Sequence, residues 1–118
     1  MISKWIRDEK GRKRGYIVAG VVWTPDKTDL LVNVDYSYCA TQDSFDAEFA
    51  KNLAIERVIK SAYRKKRIKA NIHPEVFDDY AYMVNRALNY YKGGNPSPKV
   101  ALFLERMKNA EVVQNEDN

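Results

Sequence analysis

The residues best suited to binding chemistry in this sequence are the bases between positions 57 and 69. This segment holds seven lysines and arginines and no acidic residue. Arginine presents a planar fork of donors that matches a phosphate group, and lysine adds a compact positive charge. The segment therefore predicts an anion-binding surface made of Arg57, Lys60, Arg64, Lys65, Lys66 and Arg67.

Two tyrosines add an aromatic component to this predicted surface. Tyr63 lies within the basic segment, and Tyr38 ends a predicted strand that precedes it. Because an aromatic ring beside arginines can stack a nucleobase, we expect both tyrosines to contact a nucleotide or a nucleic acid. The residues leave one alternative open, in which the bases only complement the negative end of a helix dipole.

The charge of the chain is unevenly distributed. Its formal net charge is +4. Residues 1–15 hold six bases and two acids, whereas the residues outside 1–15 and 57–69 hold seven bases and fourteen acids. The chain thus carries two basic stretches on an acidic body, and such clusters attract phosphates. Residues 10–14 are therefore a second set of expected phosphate contacts.

The sequence contains few of the residues that catalysis commonly uses. Cys39 is the only cysteine and His73 the only histidine, which argues against a zinc site within one chain. There is no glycine-rich phosphate loop and no convincing pair of nucleophile and base. No apolar run approaches the roughly 20 residues of a membrane helix. We therefore expect a cytoplasmic binding protein, not an enzyme, with no catalytic residue, metal, cofactor or membrane contact.

Strand patterns fill the first third of the chain. Residues 15–23 are rich in β-branched and aromatic side chains, and residues 30–38 alternate between apolar and polar types. The apolar face of the second run includes Tyr36 and Tyr38, and Asn33, Asp35 and Ser37 form the polar face of a half-buried strand. Pro25-Asp26 centres the turn between the two runs. Residues 2–7 suit a third strand, which Gly11 and Gly15 would connect as turn points.

Helical patterns fill the rest of the chain. The first helix begins at Asp43 or Ser44 as cap, packs through small residues such as Ala50 and Ala54, and fades near residue 67. The second helix begins at Pro74 and ends at Gly93-Gly94, and the third begins with Ser97 and Pro98. We predict an α+β fold with a two- or three-stranded antiparallel β-meander followed by three helices packed on one face. It forms one domain, 1–113, with a frayed polar tail, 114–118.

The tyrosines and the sheet edges indicate contacts with other chains. Tyr82 and Tyr90 fall off the apolar stripe of the second helix, and exposed tyrosines are enriched at interfaces. We expect both to lie at an interface. A sheet this small has edges that invite pairing, so we also expect a homo-oligomer.

The segment from the second predicted strand into the first helix resembles a known family. It consists of the strand Val34–Cys39 followed by Asp43, Phe45, Ala50, Ala54 and Arg57. This order of residues is similar to a pattern in small bacteriophage anti-defence proteins, in particular the anti-Thoeris sponge proteins. The resemblance covers about 25 of the 118 residues, with Asn33 in the place of a glycine and no counterpart to residues 74–110.

This resemblance implies a non-enzymatic protein that sequesters cyclic ADP-ribose-type signals in pockets between protomers, with Arg57 as a ligand contact. Our leading expectation is accordingly a phage-type anti-defence protein that binds an anionic cyclic nucleotide in the bacterial cytoplasm. Two alternatives stay open. One is a nucleic-acid-binding module that uses residues 57–69, and the other is an anti-CRISPR-like inhibitor that binds a host defence protein.

Overall fold

Four strands form one mixed sheet in this computed structural model, which describes residues 1–40, 43–64 and 72–116. The strands are β1 Ile2–Arg7, β2 Lys13–Trp23, β3 Leu30–Tyr38 and β4 Asn95–Pro96, and they lie in that order across the sheet. β1, β2 and β3 form an antiparallel meander, and β4 pairs in parallel with the start of β3. The predicted α+β class is confirmed, and the sheet has one short strand more than the predicted meander.

The two connections in the meander differ in how they use their predicted turn residues. Pro25 and Asp26 occupy the centre of the β2–β3 turn as predicted, and the Lys27 amide donates to the Thr24 carbonyl across 2.8 Å. Gly11 is a true turn residue with φ of +77°. Gly15 is not, because it lies inside β2, where a Cβ would stand 2.2 Å from the Ser37 carbonyl oxygen. Close strand approach, rather than a turn, requires glycine there.

Three helices follow the predicted order with shifted ends. They are α1 Ala47–Ser61, α2 Phe77–Tyr90 and α3 Pro98–Glu116, with a single 3₁₀ turn, Pro74–Val76, before α2. The α1 cap is Asp46, whose carboxylate accepts from the Phe49 amide at 3.0 Å, and not Asp43 or Ser44. α1 ends at Ser61 rather than near residue 67.

The beginning and end of α3 bear on two further expectations. Ser97 caps α3 as predicted, since its hydroxyl accepts from the Val100 amide at 3.3 Å. α3 continues to Glu116, so residues 114–116 of the expected tail are helical, and residues 117 and 118 lie outside the described part of the chain.

The helices lie on both faces of the sheet, so the prediction that all three pack on one face is wrong. α2 and α3 cover the face that carries Ile6, Ile17, Val32 and Val34, and the main hydrophobic core lies between them. α1 covers the opposite face, where Ala54 and Val58 pack against Tyr16 and Val18. The small side chains of α1 allow this close approach to the sheet.

Tyr80 of α2 gives the main core a titratable group. Its hydroxyl donates to the Val34 carbonyl at 3.1 Å, and the residue is fully buried. Burial and, next, the nearby Asp35 carboxylate raise the pKa of Tyr80 far above its usual value. In the unfolded chain the pKa returns to about 10. The folded state therefore keeps a proton that the unfolded state loses, and this contribution to stability is complete below about pH 10 and declines as the pH rises further.

We expect Tyr80→Phe to flatten the loss of stability above pH 10. One such group contributes a slope of about 1.4 kcal/mol per pH unit in the free energy of unfolding. At pH 7 the variant should lose about 1 kcal/mol with the hydrogen bond. Urea unfolding between pH 7 and pH 11 measures both effects. Tyr82→Phe, at an exposed position of the same helix, is the matched control, and an equal slope in parent and Tyr80→Phe would contradict the prediction.

Candidate functional site

The polar face of β3 is buried beneath α1. Asn33, Asp35 and Ser37 are 0%, 5% and 3% exposed, although their alternation predicted a half-buried strand with a polar outer face. The Ser37 hydroxyl donates to the Ala50 carbonyl at 2.6 Å, and the Asn33 amide donates to the Val58 carbonyl at 2.8 Å. Since backbone carbonyls of α1 satisfy these side chains, the strand can bury both of its faces.

Asp35 is the centre of this buried polar face. Its carboxylate accepts from the Ser61 hydroxyl at 2.7 Å and pairs with the Lys99 ammonium at 2.8 Å. The Ser97 hydroxyl donates to the Asn33 side-chain carbonyl at 2.7 Å. Among the described residues, no buried side-chain nitrogen or oxygen lacks a hydrogen-bond partner. The cluster therefore joins β3 to α1 and to the start of α3, and it presents no unpaired polar atom to a ligand.

Four of the predicted binding residues lie together at the C-terminal end of α1. We call Arg57, Lys60, Tyr63 and Arg64 the basic end of α1, and all four are exposed. Tyr63 is 40% exposed, and Arg64 makes no ion pair with any other described residue. The remaining predicted bases, Lys65, Lys66 and Arg67, lie outside the described residues.

Two cations of the basic end already have partners in the protein. The Arg57 guanidinium donates to the Tyr36 carbonyl at 2.9 Å, on the part of β3 that β4 does not reach. Lys60 pairs with Glu56, and the hydrogen bond from Lys60 lowers the pKa of that carboxyl. A guanidinium bound to a neutral carbonyl keeps its full charge. Arg57 and Arg64 are therefore the cations of the basic end that no described carboxylate neutralises.

Tyr38 lies on the other side of the sheet from the basic end of α1. Its ring packs against the core beneath α2 and stacks on His73, with the ring centroids 5.0 Å apart. It also lines an open cleft of about 450 Å³ beside the β1–β2 loop. Burial raises the pKa of the Tyr38 hydroxyl. The structure thus does not bring Tyr38 together with Arg57 and Tyr63 within one protomer.

The two tyrosines predicted at an interface are exposed on α2. Tyr82 is 53% exposed and Tyr90 is 67% exposed, which agrees with their positions off the apolar stripe. The Lys4 ammonium lies 5.2 Å from the centre of the Tyr82 ring, and the Tyr90 ring contacts that of Tyr91 edge to face. Their role at an interface stays a prediction, as does the homo-oligomer.

Sequence reasoning missed a second group of aromatic and basic residues around Trp5. The Trp5 ring lies 4.6 Å from the Tyr16 ring and 6.2 Å from the Phe45 ring, measured between centroids. The Lys13 ammonium lies 4.4 Å from the centre of the indole. The β1–β2 hairpin register, which pairs Trp5 with Tyr16, is the signal that could have found this group.

No protein-family model, curated protein or solved structure matches this chain. The described residues include no helix with the length and apolar character needed to cross a membrane. Within the same part of the chain, no three histidine, cysteine or acidic side chains are grouped as they are around a metal ion.

We expect Asp35→Ala to lower the free energy of unfolding by about 3 kcal/mol, because it leaves the Lys99 ammonium without a carboxylate partner and removes an acceptor of the Ser61 hydroxyl. Adding Lys99→Met should recover part of this loss, since the unpaired charge is then removed. Urea unfolding measures both variants. The control Asp29→Ala, in the exposed β2–β3 turn, should stay within about 0.5 kcal/mol of the parent. A similarly small effect of Asp35→Ala would show that the cluster is dispensable.

Proposed function

We propose that this chain is a non-enzymatic nucleic-acid-binding protein that contacts phosphates through the basic end of α1. The observation that carries the proposal is the exposure of Arg57, Lys60 and Arg64 on neighbouring turns, with Glu56 as the only acid among residues 49–64. Tyr63 adds an exposed ring to the same surface. Neighbouring cations and a ring are the elements with which proteins bind a phosphate backbone and its bases.

The separation of the expected contacts favours a polymer over a small nucleotide. A small ligand needs an enclosing pocket that supplies both phosphate and base contacts. Tyr38, which was expected to supply a ring beside Arg57 and Tyr63, lies on the opposite face of the sheet. Phe45 lies before the start of α1, at the other end of the helix from these cations. A nucleic acid needs no enclosure, because it lies along an exposed surface and each cation meets a different phosphate.

Two other functions remain candidates. Sequestration of a small anionic nucleotide by a phage-type anti-defence protein would need a second protomer to complete the pocket, which fits the expected homo-oligomer. Inhibition of a host defence protein is favoured by the exposed rings of Tyr82 and Tyr90, which offer an aromatic surface for a protein partner. The same binding experiment separates these candidates from nucleic-acid binding.

We expect Arg64→Glu to weaken nucleic-acid binding about tenfold near 0.1 M salt and to reduce the slope of log Kd against log salt by about 1. Fluorescence anisotropy with labelled single- and double-stranded oligonucleotides from about 50 to 300 mM salt measures both quantities. Lys108→Glu, an equal charge reversal at an exposed position of α3, is the matched control and should bind like the parent.

Other outcomes of this titration would contradict the proposal. Equal binding by Arg64→Glu and the parent would exclude the basic end of α1 as the contact. Tight, salt-insensitive binding of a cyclic ADP-ribose isomer, without oligonucleotide binding, would favour sequestration. Binding of neither kind of ligand would leave a protein partner, and analytical ultracentrifugation of the same samples measures the oligomeric state.

A further inference from the structure

α1 leaves one strip of its sheet face uncovered. It packs against β2 and β3, whereas β1 forms one edge of the sheet. The side chain of Trp5, on β1, lies on this face and packs against the cluster formed by Tyr16, Val18, Ala54 and Val58. Its indole remains partly exposed. The uncovered strip therefore presents an aromatic ring that neighbouring side chains hold in a fixed orientation.

One lysine lies over this ring and another lies over the ring beside it. The Lys13 ammonium lies 4.4 Å from the centre of the indole, and the Lys51 ammonium of α1 lies 5.9 Å from the centre of the adjoining Tyr16 ring. On the edge side, Trp5 lines a cleft of about 410 Å³ together with Lys4, Arg7 and Asp79. Asp79 is the only acid among the described residues that line this cleft, and Lys4 pairs with it at 2.6 Å. The surroundings of Trp5 thus favour an anionic partner that has a flat apolar part.

We propose that Trp5 is a stacking platform for the bases of a single-stranded nucleic acid, with Lys13 and Lys51 as contacts for the adjoining phosphates. This inference rests on the nucleic-acid binding proposed above and specifies its substrate. A base can lie on the indole only if it is free of its stacked neighbours and its paired strand. A duplex hides the faces of its bases and offers Trp5 nothing to stack.

The position of Trp5 argues against a peptide strand as the partner. A peptide that extends the sheet binds the hydrogen-bonding edge of β1, and lysine and arginine on an edge strand discourage such pairing. β1 carries both Lys4 and Arg7. The indole lies on the face of the sheet and not on its edge. In that position it can stack on a base, but it does not form the backbone hydrogen bonds that an added strand needs.

The Trp5 surface and the basic end of α1 lie on the same side of the molecule. The register aligns Trp5 with Tyr16 and Tyr16 with Ser37, and the Ser37 hydroxyl bonds to Ala50 in the first half of α1. The basic end lies at the other end of this 15-residue helix, about 20 Å away. A single strand that runs along α1 can therefore contact both surfaces.

Trp5 can report on its own role, because the chain has only two tryptophans. In a Trp23→Phe variant, Trp5 is the sole indole, and a thymidine oligonucleotide should quench at least half of its fluorescence by stacking. A duplex of equal phosphate content should leave the fluorescence nearly unchanged. The converse variant, Trp5→Phe, retains Trp23 on the opposite face of the sheet and should show no quenching. Absence of quenching of Trp5 by the single strand at saturating binding would overturn the inference.

The affinity of Trp5 variants for the oligonucleotide is a second test of the same role. Trp5→Leu should weaken binding of the thymidine oligonucleotide about tenfold, because stacking on an aromatic ring contributes that order of affinity. It should not change the salt slope, since no charge is removed. Trp23→Leu is the matched control for loss of an exposed indole and should bind like the parent. Thermal unfolding checks that both variants fold.

The two proposals fail in different ways. If Arg64→Glu weakens binding, but the oligonucleotide does not quench Trp5 and Trp5→Leu binds like the parent, the stacking inference is wrong and the basic end of α1 is still supported as the contact. If the oligonucleotide quenches Trp5 but Arg64→Glu binds like the parent, the stacking site is supported and the basic end of α1 is excluded as the contact. Quenching by an acidic peptide and not by the oligonucleotide would overturn the inference in favour of a protein partner.

Discussion

The hydrogen bonds that bury the polar face of β3 determine how the rest of the molecule is arranged. Asn33, Asp35 and Ser37 can leave water only if other groups satisfy them, and α1 supplies two carbonyls and the Ser61 hydroxyl. α1 must therefore lie on this face, centred over β3, and its small residues let its backbone approach the strand. One helix placed in this way covers two strands and leaves β1 exposed on that side.

The opposite face of the sheet follows from the same constraint. With α1 on the polar side of β3, the apolar side chains on the other face of β2 and β3 must be covered by α2 and α3, which they are. Lys99, at the start of α3, then reaches around the edge of β3 to pair with Asp35, and β4 aligns beside it through the bond from the Ser97 amide to the Val32 carbonyl. The buried carboxylate thus links elements from both layers of helices.

The local pattern was sufficient to predict the strands, the β2–β3 turn and the Ser97-Pro98 helix start, because each depends on neighbouring residues. Alternation along β3 separated its two faces correctly but could not show that the polar face is buried, since the groups that bond to it, on Val58, Ser61 and Lys99, are distant in sequence.

The same limit applies to the candidate site. Tyr38 and Arg57 looked compatible as parts of one pocket, yet Tyr38 belongs to the face of β3 that turns away from α1. β4 has two residues and carries no periodic pattern at all.

Counting bases along the sequence does not show which cations are paired with a carboxylate, and it gives no weight to Lys51, which lies outside both basic stretches. A cation bound by a carboxylate contributes little to the field that a ligand meets, and Lys4, Arg12 and Lys60 are bound in this way. Lys13, Lys51 and Arg64 have no such partner among the described residues, and all three lie on the side of the sheet that α1 covers. Trp5 and Tyr63 lie on that side as well. Each of the two ring-bearing surfaces on that side therefore has a cation that a phosphate can reach, which is the arrangement that a flexible anionic strand with stacking bases requires.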